Sequence, residues 1–211
     1  MVKAILFDFW GTIVENGVFP SPSRQVQEIL RLNVPFPEFV HRFEEAFMTK
    51  EFDSLQDAFS AVFSGFEIKE NKVEMEELIG LWNKNKLLAK PFQESVGVLE
   101  ELSKSYKLFL VANSNKGVVD EVVDKYDLRK YFTDVFLSCE LGFLKTDPEF
   151  FSAVLEKHGL KKEDCLMVGD SLQSDVEAAG NVGIAAVLVD RRDRRSYERK
   201  IITLDGVKRW L

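Results

Sequence analysis

Histidine and cysteine are nearly absent from these 211 residues, with two of each. His41 and His158 alone leave little for a histidine-based metal site or a nucleophilic triad. Cys139 and Cys165 lack metal-type spacing, and they read as reduced packing residues of a cytoplasmic protein rather than a disulfide. Excess positive charge is missing too. Lys and Arg number 28 against 35 Asp and Glu, a net charge of −7. Broad binding to nucleic acid or an anionic membrane surface is therefore not expected, because both depend on summed positive potential. No stretch approaches the roughly 18 apolar residues of a membrane span. The apolar run after Lys3 is interrupted at Asp8, too early for a secretion signal. Carboxylates are left to carry whatever chemistry there is.

Phenylalanine is abundant, with 18 copies, within an ordinary globular balance of 45% hydrophobic and 30% charged residues. Ala4-Ile5-Leu6-Phe7 is continuous rather than alternating in hydrophobicity, as a strand buried on both faces requires. It ends in Asp8 and turns at Gly11. Helical spacing then takes over. Short stripes at Val26, Ile29 and Leu30, at Phe39, Val40, Phe43, Ala46 and Phe47, and at Leu55, Ala58, Phe59, Val62 and Phe63 precede a longer helix from Asn71 to about Leu88. Four helices without an intervening strand predict a bundle, inserted as a small domain over residues 15–90. Phe43, Phe47, Phe59 and Trp82 belong either to the core of that bundle or to the lining of a pocket.

From Pro91 onward helix and strand alternate, which predicts a parallel α/β sheet over residues 1–14 and 91–211. Strands are expected at 107–112, 134–138, 165–168 and 184–189. Asp147 and Pro148 announce a helix, with Asp147 as its N-cap, and Gly159 closes it just after His158, whose place there suits the helix dipole. The run Arg191-Arg192-Asp193-Arg194-Arg195 reads as a solvated loop, with an anion contact at the edge of the sheet as the alternative. The tail from Ile201 to Leu211 is expected to add an edge strand or a short helix.

Polar residues recur at the carboxyl ends of these strands: Asp8, then Asn113 and Ser114, then Lys145, then Asp170 and Asp175. Parallel strands bring such ends to one edge, where open α/β sheets bind ligands. Three carboxylates there would repel one another unless a cation joined them, and hard oxygen ligands suit Mg²⁺. A carboxylate screened by Mg²⁺ and an ammonium can attack phosphorus.

The ordered set Asp8-Phe9-Trp10-Gly11-Thr12, Ala112-Asn113-Ser114, Lys145-Thr146-Asp147-Pro148 and Gly169-Asp170-Ser171-Leu172-Gln173-Ser174-Asp175 resembles the four motifs of the haloacid dehalogenase superfamily. The resemblance implies a Rossmann-like parallel core with an all-α bundle of the C1 cap type. It further implies a phosphatase acting on a small phosphorylated molecule through an aspartyl-phosphate on Asp8. Mg²⁺ would be held by Asp8, Asp170 and the Trp10 backbone carbonyl, with Asp175 positioning its waters. Lys145 would hold Asp8 and the phosphoryl group, which Thr12, Asn113 and Ser114 would also contact.

Two positions depart from that pattern. Trp10 stands where family phosphatases carry the acid/base Asp, which predicts slow turnover or turnover limited to good leaving groups. Ala112 stands where a hydroxyl usually meets the phosphate. An aromatic at position 10 also resembles the 2-haloacid dehalogenase branch, whose halide-binding arginine would have to come from Arg24, Arg31 or Arg42. A phosphonate-cleaving reading would need a cap lysine such as Lys50. A module that binds Mg²⁺ and phosphate without turnover is the remaining alternative.

Overall fold

In the computed structural model, which describes residues 2–211, the chain opens with β1 (Ala4–Phe7), all four residues fully buried. A turn leads to β2 (Val14–Glu15) and four helices follow: α1 (Pro22–Ile29), α2 (Phe36–Met48), α3 (Leu55–Gly65) and α4 (Lys72–Leu88). The return strand β3 (Lys90–Pro91) pairs antiparallel with β2, so the chain leaves for the helices and comes back from them side by side. Alternation then sets in with α5 (Ser95–Leu102), β4 (Lys107–Ala112), α6 (Lys116–Lys125), β5 (Asp134–Leu137), α7 (Ser138–Leu141), α8 (Pro148–His158) and β6 (Cys165–Gly169). A π-helical segment (Leu172–Glu177) runs into α9 (Ala178–Asn181), followed by β7 (Ala185–Val189), β8 (Lys200–Ile201) and 3₁₀ turns over Leu204–Trp210. The tail thus supplies both an edge strand and a short helical segment.

The main sheet has six strands in the order β5-β4-β1-β6-β7-β8, and every pairing is parallel. Alternate residues of β1 feed opposite faces. Ile5 and Phe7 join Leu108, Leu110, Leu166 and Val168 under α5 and α6, while Ala4 and Leu6 join Phe109, Val111 and Met167 under α8 and α9. That double burial explains the unbroken apolar run. The chain continues from β1 to one side of it and later to the other, so the crevice beyond Phe7 is a topological switch point.

Helices α1–α4 build a third core from Phe39, Phe43, Phe47, Phe59, Phe63 and Trp82. Ring centroids of Phe43, Phe47, Phe59 and Trp82 lie 4.7–5.8 Å apart, and the three phenylalanines are fully buried. These four rings therefore belong to the interior of the bundle. Truncating one of them to Ala typically costs about 3–5 kcal/mol.

Local signals account for several helix ends. Asn71 Oδ1 accepts the Val73 and Glu74 N–H groups at the start of α4, Ser54 Oγ accepts the Asp57 N–H at the start of α3, and left-handed Gly159 ends α8. Asp147 departs from expectation. It occupies the N-cap position of α8, but its carboxylate turns back to accept the Leu144 N–H at 2.8 Å, bracing the loop that carries Lys145. The helix expected after Asp175 is π-helical for its first turn, where Ser171 accepts backbone bonds from both Asp175 and Val176. Both cysteines are buried and free. His158 Nε2 meets Asp134 Oδ2 at 2.8 Å beside the start of β5, at the opposite end of the sheet from Asp8.

Candidate active site

Asp8 follows the last residue of β1 and is pinned by its own N–H, which donates to the Val168 carbonyl at 2.9 Å. The chain must then reverse within a few residues, and Gly11 does so at φ +77°. A side chain is excluded there by space as well, since a Cβ would lie 2.3 Å from Asp170 Oδ2. Gly169 is constrained in the same way: its Cβ would stand 2.2 Å from Asp175 Oδ2. These two glycines, one in the first motif and one in the last, let the Asp170 and Asp175 carboxylates approach backbone that any larger residue would push away.

Asp8, Asp170 and Asp175 each present an oxygen within 4.8 Å of the other two. Lys145 Nζ sits among them, 2.6 Å from Asp8 Oδ1 and 2.5 Å from Asp175 Oδ1, and all three of these partners are more than nine-tenths buried. One ammonium faces three acids. Burial pushes the Asp8 carboxyl up to about 6 against the pull of Lys145, and Asp175 adds to the rise. Burial, then Asp8 and Asp175, raise Asp170 well above the ordinary carboxylate range. Burial by itself would lower Lys145, but Asp175 and Asp8 outweigh it and keep the ammonium charged. Asp8 Oδ2 is buried without a hydrogen-bond partner, as is Thr12 Oγ1 nearby. Both Asp175 oxygens are taken, one by Lys145 and one by the Ser171 N–H. An all-oxygen set with surplus negative charge and an unpartnered Asp8 oxygen fits a hard divalent cation.

The second motif lies beside this cluster. Asn113 Oδ1 accepts the Lys145 N–H at 2.9 Å, and its Nδ2 donates to Glu44 Oε2 at 2.8 Å. The Ser114 N–H donates to Ser138 Oγ, and Ser114 Oγ accepts the Trp10 indole N–H at 3.2 Å. Trp10 packs edge-on against Phe9 and touches both the sheet core and the helical core. Ser138 Oγ donates to the Met48 carbonyl and Asn115 Nδ2 to the Phe47 carbonyl, so the last turn of α2 closes over this edge. Asp8, Asn113, Ser114, Lys145, Asp170 and Asp175 are thus drawn together as the sequence suggests, with Thr12 beneath.

Two residues emerge that sequence reasoning missed. Glu44, on the polar side of an amphipathic helix, looks like any solvated acid until the fold brings α2 over Asn113. Arg191 is the other: it is half-buried, while the rest of its basic run is exposed as a solvated loop. Its guanidinium donates to the carbonyls of Gly11 (3.1 Å) and Thr12 (2.5 Å), pairs with Glu94 at 2.7 Å and stacks on Phe92. Arg195 bonds the Asp170 carbonyl, while Arg192 and Arg194 are exposed. Arg191 and Arg195 therefore brace the site's backbone, and the anion Arg191 meets is the chain's own Glu94.

Other candidates lie elsewhere. Arg24 stacks on Phe36 and Arg42 on Phe66, within the helical layer, and Lys50 lies over Phe52. A surface depression of about 420 Å³ among Lys116, Asp120, Arg129 and Glu140 is lined by side chains already paired with one another.

A parallel six-stranded sheet with these acids at its switch point defines a carboxylate-based site on a doubly wound α/β fold, and comparison with known proteins places it in a family. Residues 2–183 match the model of the haloacid dehalogenase-like hydrolases. The chain belongs to that family and is a hydrolase. It is similar to a glyceraldehyde 3-phosphate phosphatase of Methanothermobacter thermautotrophicus, at 27% identity over 90% of this chain and 86% of the relative. Among solved structures, a haloacid dehalogenase-family phosphatase from Thermococcus onnurineus aligns with TM-score 0.66 and 26% identity, covering 99% of this chain and 97% of that one. The L-2-haloacid dehalogenase of Xanthobacter autotrophicus, with chloropropionic acid covalently bound, shares the fold at TM-score 0.70 and 15% identity, over 99% and 98% of the two chains.

Proposed function

We propose that this chain is a Mg²⁺-dependent phosphatase of a small phosphate ester, working through an aspartyl-phosphate on Asp8. The observation that carries this reading is the cluster of Asp8, Asp170 and Asp175 around Lys145, more acid than one ammonium can neutralise. Asp8 and Asp170, with the Trp10 carbonyl, would hold Mg²⁺, and Asp175 would orient its waters and Lys145. The metal would neutralise phosphoryl charge as the nucleophile approaches. Asp8 is the nucleophile, and Lys145 holds Oδ1 of its carboxylate in place. Thr12, Asn113, Ser114 and Lys145 receive the phosphoryl oxygens. The full-length similarity to an archaeal glyceraldehyde 3-phosphate phosphatase supports a substrate of that size.

Residues 15–90 serve in this reading as a cap on a core of residues 1–14 and 91–211. Asp8 is only 7% exposed with α2 docked on Asn113, Asn115 and Ser138, so the substrate enters when those bonds part. Trp10 favours one competing reading, carbon–halogen hydrolysis. The acid cluster speaks against it, and so does the position of Arg24 and Arg42 on the aromatic rings of the bundle.

Assaying an aryl phosphate and 2-chloropropionate, each with Mg²⁺ and with chelator, separates the readings. Phosphate release that needs Mg²⁺ and disappears in Asp8→Asn is expected. Chelator-resistant chloride release would replace this reading with dehalogenation. Retained phosphate binding without turnover of either compound would point to a binding module.

A further inference from the structure

We infer that Glu44 is a catalytic acid/base, reaching from helix α2 into the site to protonate the leaving oxygen and then to activate water. This inference rests on the phosphatase reading above. Attack by Asp8 from the end of β1 sends the leaving group in line to the opposite side of phosphorus, away from the sheet and toward the helical layer. Glu44 lies on that side. Its Oε2 accepts from Asn113 Nδ2 at 2.8 Å, and the amide orientation is fixed because Asn113 Oδ1 must accept the Lys145 N–H. Two hydrogen bonds therefore link Glu44 to the backbone of the residue that holds the nucleophile.

No other group at the site is free for the task. Trp10 carries an indole N–H that accepts no proton and is bonded to Ser114. Lys145 is bound to two carboxylates, both Asp175 oxygens are engaged, and Asp8 and Asp170 are committed to nucleophile and metal. His41 is exposed on the surface of α2, and His158 lies at the far end of the sheet. The charges facing Glu44 are Lys145, Asp175 and Asp8, with Asn113 as its hydrogen-bond donor. Although part of its side chain remains exposed, desolvation of the carboxyl outweighs Asn113 and Lys145 and raises it to about 7, where acid and base forms coexist at neutral pH.

The proton count closes. As an Asp8 oxygen bonds to phosphorus and the phosphorus–oxygen bond to the alcohol breaks, the Glu44 carboxyl gives its proton to the departing oxygen. The resulting carboxylate takes a proton from water as that water's oxygen bonds to phosphorus. The acyl–phosphate bond breaks, Asp8 is restored as a carboxylate, and Glu44 is again protonated.

Rapid mixing of Glu44→Gln with Mg²⁺ and two esters tests this. With p-nitrophenyl phosphate, whose leaving group needs no proton, the first turnover should stay within a few-fold of wild type. Later turnovers should slow by about 10²–10⁴-fold. With an alkyl phosphate the first turnover itself should slow by that factor, and Glu44→Asp should recover part of the loss. Equal slowing of the first turnover on both esters, or none in either phase, would overturn the role of Glu44 and leave the phosphatase reading intact. A wild-type protein inactive on both esters would overturn the two together. Glutamine keeps the acceptor for Asn113, and a melting curve matching wild type at low pH excludes misfolding as the cause.

Discussion

Lys145 is the residue on which the site's electrostatics turn. Replacing it with Met leaves Asp8 and Asp175 buried and unpaired, and losing one partner of a buried pair costs about 3–5 kcal/mol. Lys145→Met should therefore melt well below wild type and release no phosphate. Unchanged stability would mean that the ammonium is not what offsets the burial of these acids. Glu44 gives a signed pH effect. Its folded value, near 7, lies above its ordinary 4.5, so the protonated form is favoured on folding. The stability this brings is complete below about pH 4.5 and is lost as pH rises to about 7. Metal-free wild type should thus lose of the order of 2–3 kcal/mol relative to Glu44→Gln across that window. Parallel curves of unfolding free energy against pH would contradict it.

At the scale of elements, the turn after β1 depends on a contact no sequence pattern reveals. Arg191, 180 positions from Gly11, bonds two consecutive carbonyls of that turn and Glu94 at once. Arg191→Lys cannot reproduce this fork. It should lower the rate of the Asp8 step while leaving binding of inorganic phosphate close to wild type, with a stability loss of about 1–3 kcal/mol. An unchanged rate would show that the turn holds its shape unaided. The same contrast explains what could be read in advance. The gathering of Asp8, Lys145 and Asp170 was legible because buried parallel strands are apolar throughout and deliver their carboxyl ends to one edge of the sheet. The rings of α2–α4 were legible because helical spacing marks a buried face. Glu44, Arg191 and the β2–β3 ribbon were not, because each gains its meaning from a partner far along the chain. The backward turn of Asp147 had a different cause, an orphan N–H at Leu144 competing with the helix for one carboxylate.

Across the whole molecule, two layers meet at Asp8. Trp10 touches both cores, and α2 lends the carbonyls of Phe47 and Met48 and the carboxyl of Glu44 to the edge of the sheet. A cation bound at the acids relieves their repulsion and should stabilise the folded chain, by about 2.7 kcal/mol at a concentration 100 times its dissociation constant. Mg²⁺ should accordingly raise the melting temperature of wild type, and much less that of Asp170→Asn. Whether Asp8 attacks phosphorus or carbon decides where water ends up. Repeated turnover of a phosphate ester in heavy-oxygen water, followed by mass analysis of the peptide containing Asp8 and of the released phosphate, reads this directly. Attack on phosphorus predicts labelled phosphate and an unlabelled Asp8. Label accumulating in the Asp8 carboxylate and passing into the released alcohol, with the phosphate left unlabelled, would mean that Asp8 attacks carbon, and would contradict the phosphatase account.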